Sequence, residues 1–448
     1  MSQRERNDAI FQAALTPAVG YRVPAGLAED IHDALLATPQ ATARPAWSIG
    51  GRNLARFGRA AWILVVMAAL LALVVTVVVL SSRPKPVPLG IPMYRGGPER
   101  TGVMPGPGPA GVPAQIWQVT MSGKVAVMPV VAGGIVYAAD TSGLVVALDE
   151  ASGKNQWSTQ LPGPVNASPA LAAGLLILGT DAGQVVALDA ATGHSVWRKQ
   201  LGGPVRASPA VVGGVVYIGS DDGNVYALDV ATGNQRWAYP LGAPVTRGAA
   251  VAGGVVYAGA TGGIFDAIDA VSGTRRWRRT DLGPGEVATP MVADGLVFVA
   301  GGLLQVGPSD RVTALDIRDG TTRWQFAAAD QQPLYGGAVA DGAVYVSSND
   351  GDVYRLDEQT GRVASGWPFH TGGGVGYLSG LVDGVLYIPS GDRFIYAVDV
   401  STGKVRWKIK VQGAPNVPAI VDGELFVGTD LGKVIAIGGS VPAPGASP

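Results

Sequence analysis

The chain has 448 residues, of which 47% are hydrophobic and 15% charged, with 65 glycines, 32 prolines and no cysteine. A formal net charge of −1 argues against the basic face of a nucleic-acid binder, and the missing thiols exclude disulfides, cysteine-attached haem and a lipobox cysteine. Much glycine and proline with few charges suits a turn-rich all-β domain accompanied by a membrane segment.

Residues 1–59 read as a short cytoplasmic segment. Pro24 opens a stretch in which Leu27, Ile31 and Leu35 stand four apart, the stripe of one short helix. A partner-binding helix and a solvated tail are both open readings. The segment is faintly similar to the cytoplasmic stubs of anti-sigma-type membrane regulators, without their zinc-ligand spacing.

Ala60 to Leu80 is an uncharged, mostly aliphatic run between Arg59 and Ser81. Its length matches the roughly 30 Å hydrocarbon core, which predicts one transmembrane helix. Starting sixty residues in and followed by SSRPKP, it reads as a retained anchor, not a cleaved leader. Arg52, Arg56 and Arg59 precede it, while Arg83 and Lys85 follow. This bias places the N-terminus inside, with Trp62 at the inner interface.

Residues 81–113 form a linker rich in proline and glycine, beginning with the extended spacer RPKPVP. The later stretch, Pro92 to Pro109, either folds across one face of the following domain or serves as a tether.

From residue 114 to 439 the chain repeats. Trp117, Trp157, Trp197, Trp237, Trp277, Trp324, Trp367 and Trp407 follow one another at gaps of 40, 40, 40, 40, 47, 43 and 40 residues. One unit, Ala207 to Trp237, holds four apolar segments of strand length separated by Gly213-Gly214, Asp221-Asp222-Gly223 and Ala231-Thr232-Gly233. Each unit is therefore one four-stranded antiparallel blade of a β-propeller. The stretch A-x-D-x-x-[ST]-G-x-x-x-W recurs as Ala147 to Trp157, Ala187 to Trp197, Ala227 to Trp237, Ala267 to Trp277 and Ala397 to Trp407. A small Ala leaves room for an indole, Gly permits a tight turn, and Asp bonds that turn's amides. Two units break the pattern: Arg355 replaces Ala, with extra residues before Trp367, and Gly438 replaces the last Asp. Looser docking is expected there.

If tryptophan marks the outermost strand, the last unit lacks a fourth strand and Trp117 supplies it. The prediction is an all-β, eight-bladed ring closed by its own N-terminal strand, with no large open sheet edge. Residues 440–448 are expected to form a flexible tail.

On these residues the chain resembles the pyrroloquinoline-quinone-like propeller repeat family, over roughly residues 92–439. That family includes quinoprotein dehydrogenases and non-catalytic BamB-type scaffold proteins, and the resemblance is closest to the BamB-like members. It implies the ring; it does not by itself imply an activity. The stretch Pro92 to Pro109 resembles the segment before the first blade in exported relatives. Dehydrogenases of the family carry a vicinal cysteine pair, a catalytic aspartate and calcium ligands, and no matching set stands in this sequence.

No nucleophile elbow, zincin, Walker or dinucleotide motif occurs in a fitting context, so no catalytic residue, metal site or cofactor is expected. The hairpins Asp140 to Gly143, Ser220 to Gly223 and Asn349 to Gly351 read as turn chemistry and not calcium loops. A ligand site is expected where the repeat breaks its own rule at the channel mouth. Arg247, Tyr335, Tyr377 and Asn416 stand where other units carry Val127, Ala167, Ala207 and Ala288. Asn166, Arg206, Glu286 and His370 join them from adjacent positions. The bland reading is a polar, water-filled mouth. The insertion Gly301 to Arg311 presents Leu303 and Leu304 as a candidate partner loop.

The expected function is a non-enzymatic scaffold or binding module. It is anchored by one span in the cytoplasmic (inner) membrane with the propeller outside, and its partners are extracytoplasmic proteins or cell-envelope ligands. The alternatives are a quinone-dependent oxidoreductase and an extracytoplasmic sensor that signals through the cytoplasmic segment.

Overall fold

The computed structural model describes residues 90–301, 311–328, 332–376, 378 and 380–439. The expected segments 1–59 and 60–80, the tail 440–448, Tyr377, Leu303 and Leu304 lie outside these residues. Among the described residues, no helix is long and apolar enough to cross a membrane.

Eight antiparallel sheets are arranged as the repeat demands, seven of four strands and one of five. The blade built from Ala207 to Trp237 shows why. Its strands Ala210–Val212, Val215–Gly219, Asn224–Asp229 and Gln235–Pro240 pair in sequence order. The four central residues of the third strand are all buried, because neighbouring blades cover both faces. The fourth strand alternates exposed with half-buried positions, since only one of its faces meets protein.

The small alanine has the predicted role. Tyr217 pairs with Ala227, which pairs with Trp237, so the two rings meet above the methyl group with centroids 5.8 Å apart. The Trp237 indole then reaches the next blade, donating Nε1–H to the Ala270 carbonyl at 3.1 Å. Trp117, Trp157, Trp197, Trp277 and Trp324 make the equivalent bond. Asp229 Oδ1 accepts from the Thr232 amide and hydroxyl, 3.1 and 3.0 Å, holding the turn that receives the preceding indole.

The unit with Arg355 docks more openly. An added Cβ on Gly403 would stand 3.8 Å from the Trp367 indole, against 2.5–2.8 Å at Gly153, Gly193, Gly233, Gly273, Gly320 and Gly361. Here the fourth strand is reduced to Phe369–His370, and Arg355 Nε instead bonds the Tyr345 hydroxyl at 3.3 Å.

Closure follows the predicted route. Ala114–Thr120 pairs antiparallel with Lys433–Gly438, completing the last blade as its outermost strand. Within the expected linker range 81–113, the chain packs on the ring from Gly90 onward, and Gly90–Ile91 adds a fifth strand beside Val130–Ala132. The fully buried Ile91 anchors this piece. An apolar side chain and backbone pairing outweigh the flexibility that proline and glycine would otherwise confer.

Candidate functional site

The first strands of the blades surround a central channel, and residues 90–107 stopper one end of it. The Leu171 amide donates to Pro92 O at 2.6 Å, Val251 to Pro98 O at 2.8 Å and Val292 to Glu99 O at 3.0 Å. Val339 donates to Thr101 O at 2.8 Å, Leu381 to Gly102 O at 3.0 Å and Gly423 to Pro107 O at 2.9 Å. Together with Gly90–Ile91 these bonds touch every blade except the third. Arg100 reaches that one with its guanidinium, donating to Ser208 O at 3.2 Å and Pro209 O at 2.7 Å.

Arg95 and Arg100 both adopt left-handed backbone conformations, φ 58° and 60°, which cost a non-glycine residue energy. Their side chains over-determine the turn. Arg100 also donates to Ala249 O at 3.1 Å and Tyr94 O at 2.7 Å, and Arg95 donates to Thr289 O at 3.3 Å and to Gly336 O. The Tyr94 ring lies between them, 5.2 and 5.8 Å from the two guanidinium carbons. Gly102 is required by space: an added Cβ would stand 2.5 Å from Gly337 O. Burial pulls the Arg100 pKa down to about 9, with the Arg95 charge acting in the same direction.

Above Tyr94 and Arg95 a cavity of about 100 Å³ opens toward the strand-start end. Asn166, Arg206, Arg247, Tyr335 and Asn416 line it, so five positions chosen from the repeat's irregularities meet around one space. Glu286 stands behind Arg247, accepting from its Nε at 3.0 Å and from a terminal nitrogen at 2.8 Å. Arg206 bridges Asp221 at 2.5 Å and Asp181 at 3.3 Å, and Asn166 donates to Asp181 at 3.0 Å. Burial raises the Asp221 pKa; Asp181 and Glu286 push it the same way, while Arg206 opposes them. Asn416 donates to Val125 O at 2.7 Å, tying the last blade to the first.

His370 does not join this group. It sits exposed on the outermost strand of its blade, Nδ1 2.8 Å from Asp352 Oδ1, because its segment pairs as a fourth strand and does not turn into the channel. In the acidic hairpins Asp140 and Asp222 are engaged by backbone amides, while Asp221 pairs with Arg206. Asp140 accepts from Gly123, Ser142 and Leu144 at 2.7, 2.8 and 3.0 Å.

Arg95 and Arg100 were not anticipated as site residues. Their only sequence signal is a pair of arginines within a stretch of glycine and proline, and nothing there says which way they point. Ser168 and Ser208 were overlooked because S-P-A reads as the repeat's ordinary strand opening. Among the described residues, no group of three or more His, Cys, Asp or Glu could hold a metal ion. That donor set does not fit a calcium-bound quinone, and the cavity holds on the order of a few waters, not a polycyclic cofactor.

A family model described as outer membrane protein assembly factor BamB matches residues 113–248, 241–365 and 349–440. The quinohemoprotein alcohol dehydrogenase ADH-IIG of Pseudomonas putida is 33% identical over 96 residues, 19% of this chain and 12% of that relative. The match thus spans about an eighth of the curated relative's length. Among solved structures, BamB from Moraxella catarrhalis superposes with a TM-score of 0.61 at 20% identity, covering 73% of this chain and 100% of that one. The quinohemoprotein alcohol dehydrogenase ADHIIG from Pseudomonas putida HK5 reaches 0.64 at 14% identity, covering 81% and 82%. At these identities the superpositions speak for the fold alone.

Proposed function

Because the chain belongs to the family described as outer membrane protein assembly factor BamB, we propose that it is a non-enzymatic extracytoplasmic scaffold or binding module. In this reading Ala60–Leu80 anchors it in the cytoplasmic membrane and its ring meets other envelope proteins. The observation that carries the reading is the stoppered channel: the chain fills one end with its own Arg95 and Arg100, leaving a shallow polar mouth with no metal-donor cluster among the described residues. Such a ring offers loops on a rigid frame, which suits docking better than it suits cofactor chemistry.

Co-purification of the full chain from membranes under mild detergent tests this. The expected result is one or more stoichiometric envelope proteins and no bound chromophore; the ring recovered alone would overturn it. The stretch of identity to ADH-IIG favours a second reading, a quinone-dependent oxidoreductase. A quinone absorbance in the purified protein would establish that alternative. For topology, a reporter fused after Pro448 should be active only outside the cytoplasm, and cytoplasmic activity would reject the orientation.

A further inference from the structure

We propose that the channel seats one small carboxylate anion, held from below by Arg95 and encircled by the hydroxyls of Ser168, Ser208 and Thr289. The first observation is a charge without a counter-charge. Arg95 is 2% exposed, and its terminal nitrogens bond only the carbonyls of Thr289 and Gly336. Its Nε is buried with no hydrogen-bond partner. Among the described residues neither Arg95 nor Arg100 pairs with a carboxylate, and the nearby Glu99 is exposed. A buried guanidinium satisfied by backbone dipoles alone leaves a positive potential in the adjoining space.

The second observation is an excess of donors. Ser168 Oγ accepts from the Met128 amide and Ser208 Oγ from the Ser168 amide, both at 3.0 Å. Each hydroxyl therefore still has its own hydrogen to donate, and no acceptor among the described residues takes it. Among the described residues the Thr289 hydroxyl has no hydrogen-bond partner. These three side chains, with Arg95, border the same cavity of about 100 Å³. A ligand that fits them presents acceptor oxygens, carries negative charge and is a few heavy atoms in size.

The rim limits that charge to one. Arg206 and Arg247 line the cavity, and their charges are already taken up by the three carboxylates they pair with, Asp181, Asp221 and Glu286. With three carboxylates outnumbering these two cations, the rim has no positive charge left for a dianion, while a single carboxylate finds Arg95 beneath it. Acetate and lactate match this size and charge; inorganic phosphate, of similar size, carries a second charge in its dianionic form. The inference concerns the channel alone and stands whichever protein docks on the ring.

Calorimetric titration of the full chain in mild detergent tests it, with sodium acetate and sodium lactate against sodium chloride and sodium phosphate at matched ionic strength. Saturable binding of one acetate or lactate per chain is expected, with chloride and phosphate at least about tenfold weaker. Ser208→Ala and the near-isosteric Thr289→Val should each weaken acetate about tenfold, the usual effect of losing a hydrogen bond to a charged group. A thermal melt confirms that each variant is folded. Absent carboxylate binding, equal binding of chloride or phosphate, or an affinity unchanged in both variants would overturn the proposal. Partner capture is read separately by co-purification, so the two readings fail independently.

Discussion

An added Cβ on Gly193 would stand 2.5 Å from Cε3 of Trp157, because the indole of one blade lies against the turn of the next. The motif glycine is thus needed twice, for its φ of +73° and for the ring above it. Gly193→Ala should cost roughly 1–3 kcal/mol by overpacking, beyond the left-handed backbone penalty. Gly213→Ala, at φ +57° with nothing within 4 Å, should cost only that penalty. Chemical denaturation of the two variants separates the terms.

Removing the other side of the contact opens a void. Trp277 is 8% exposed and bonds Ile317 O at 3.0 Å. Trp277→Ala should therefore cost about 3–5 kcal/mol. An equilibrium unfolding curve displaced by under 1 kcal/mol would contradict the packing described here.

The closing strand is held by backbone pairing from Ala114 opposite Gly438 to Thr120 opposite Lys433. Deleting residues 114–122 strips the last blade to three strands and bares an edge. The expected outcome is loss of the cooperative melt or association of chains, read by calorimetry and sedimentation.

Stability should have opposite pH slopes in two ranges. Carboxylates at the motif turns titrate below the ordinary aspartate range: Arg276 holds Asp269 down, Arg318 holds Asp316, and the Ser401 hydroxyl holds Asp399. Their folded pKa values are depressed, so their contribution is present above about pH 4 and is lost as pH falls further. Burial raises Glu150 and Glu424 instead, reinforced by Asp422. For these the ionised form opposes folding, and the penalty is relieved as pH drops through the raised value. Melting temperature should climb from pH 7 into mild acid and then fall below about pH 4. Glu424→Gln should raise it at pH 7 and flatten the climb, as scanning calorimetry can show.

The stopper should depend on Arg100. Arg100→Ala leaves the carbonyls of Tyr94, Ser208, Pro209 and Ala249 without this donor. At about 1–3 kcal/mol for each one left unsatisfied, residues 90–112 should detach before the ring unfolds. Limited proteolysis would then cut that segment in the variant and spare it in the parent protein.

The repeat made the ring legible without coordinates. Tryptophan spacing, the alanine beneath each indole and the turn aspartates are local and periodic, and periodicity survives in a linear text. The last unit's missing strand and the unpaired Trp117 implied closure by counting alone. Arg206, Arg247, Tyr335 and Asn416 could likewise be found as departures from a periodic rule. His370 could not be placed, because its position depends on how one irregular blade pairs its fourth strand.

The sequence by itself determined the number of blades and their register, since these follow from a repeat of about forty positions, and the route of closure, since the count leaves the last unit one strand short and Trp117 one strand over. Only the tertiary structure decided that the glycine-rich approach segment is a stopper and that Arg95 underlies the channel. Those contacts join one aperiodic stretch to residues as far along the chain as Gly423, which bonds Pro107, and no repeating pattern records them.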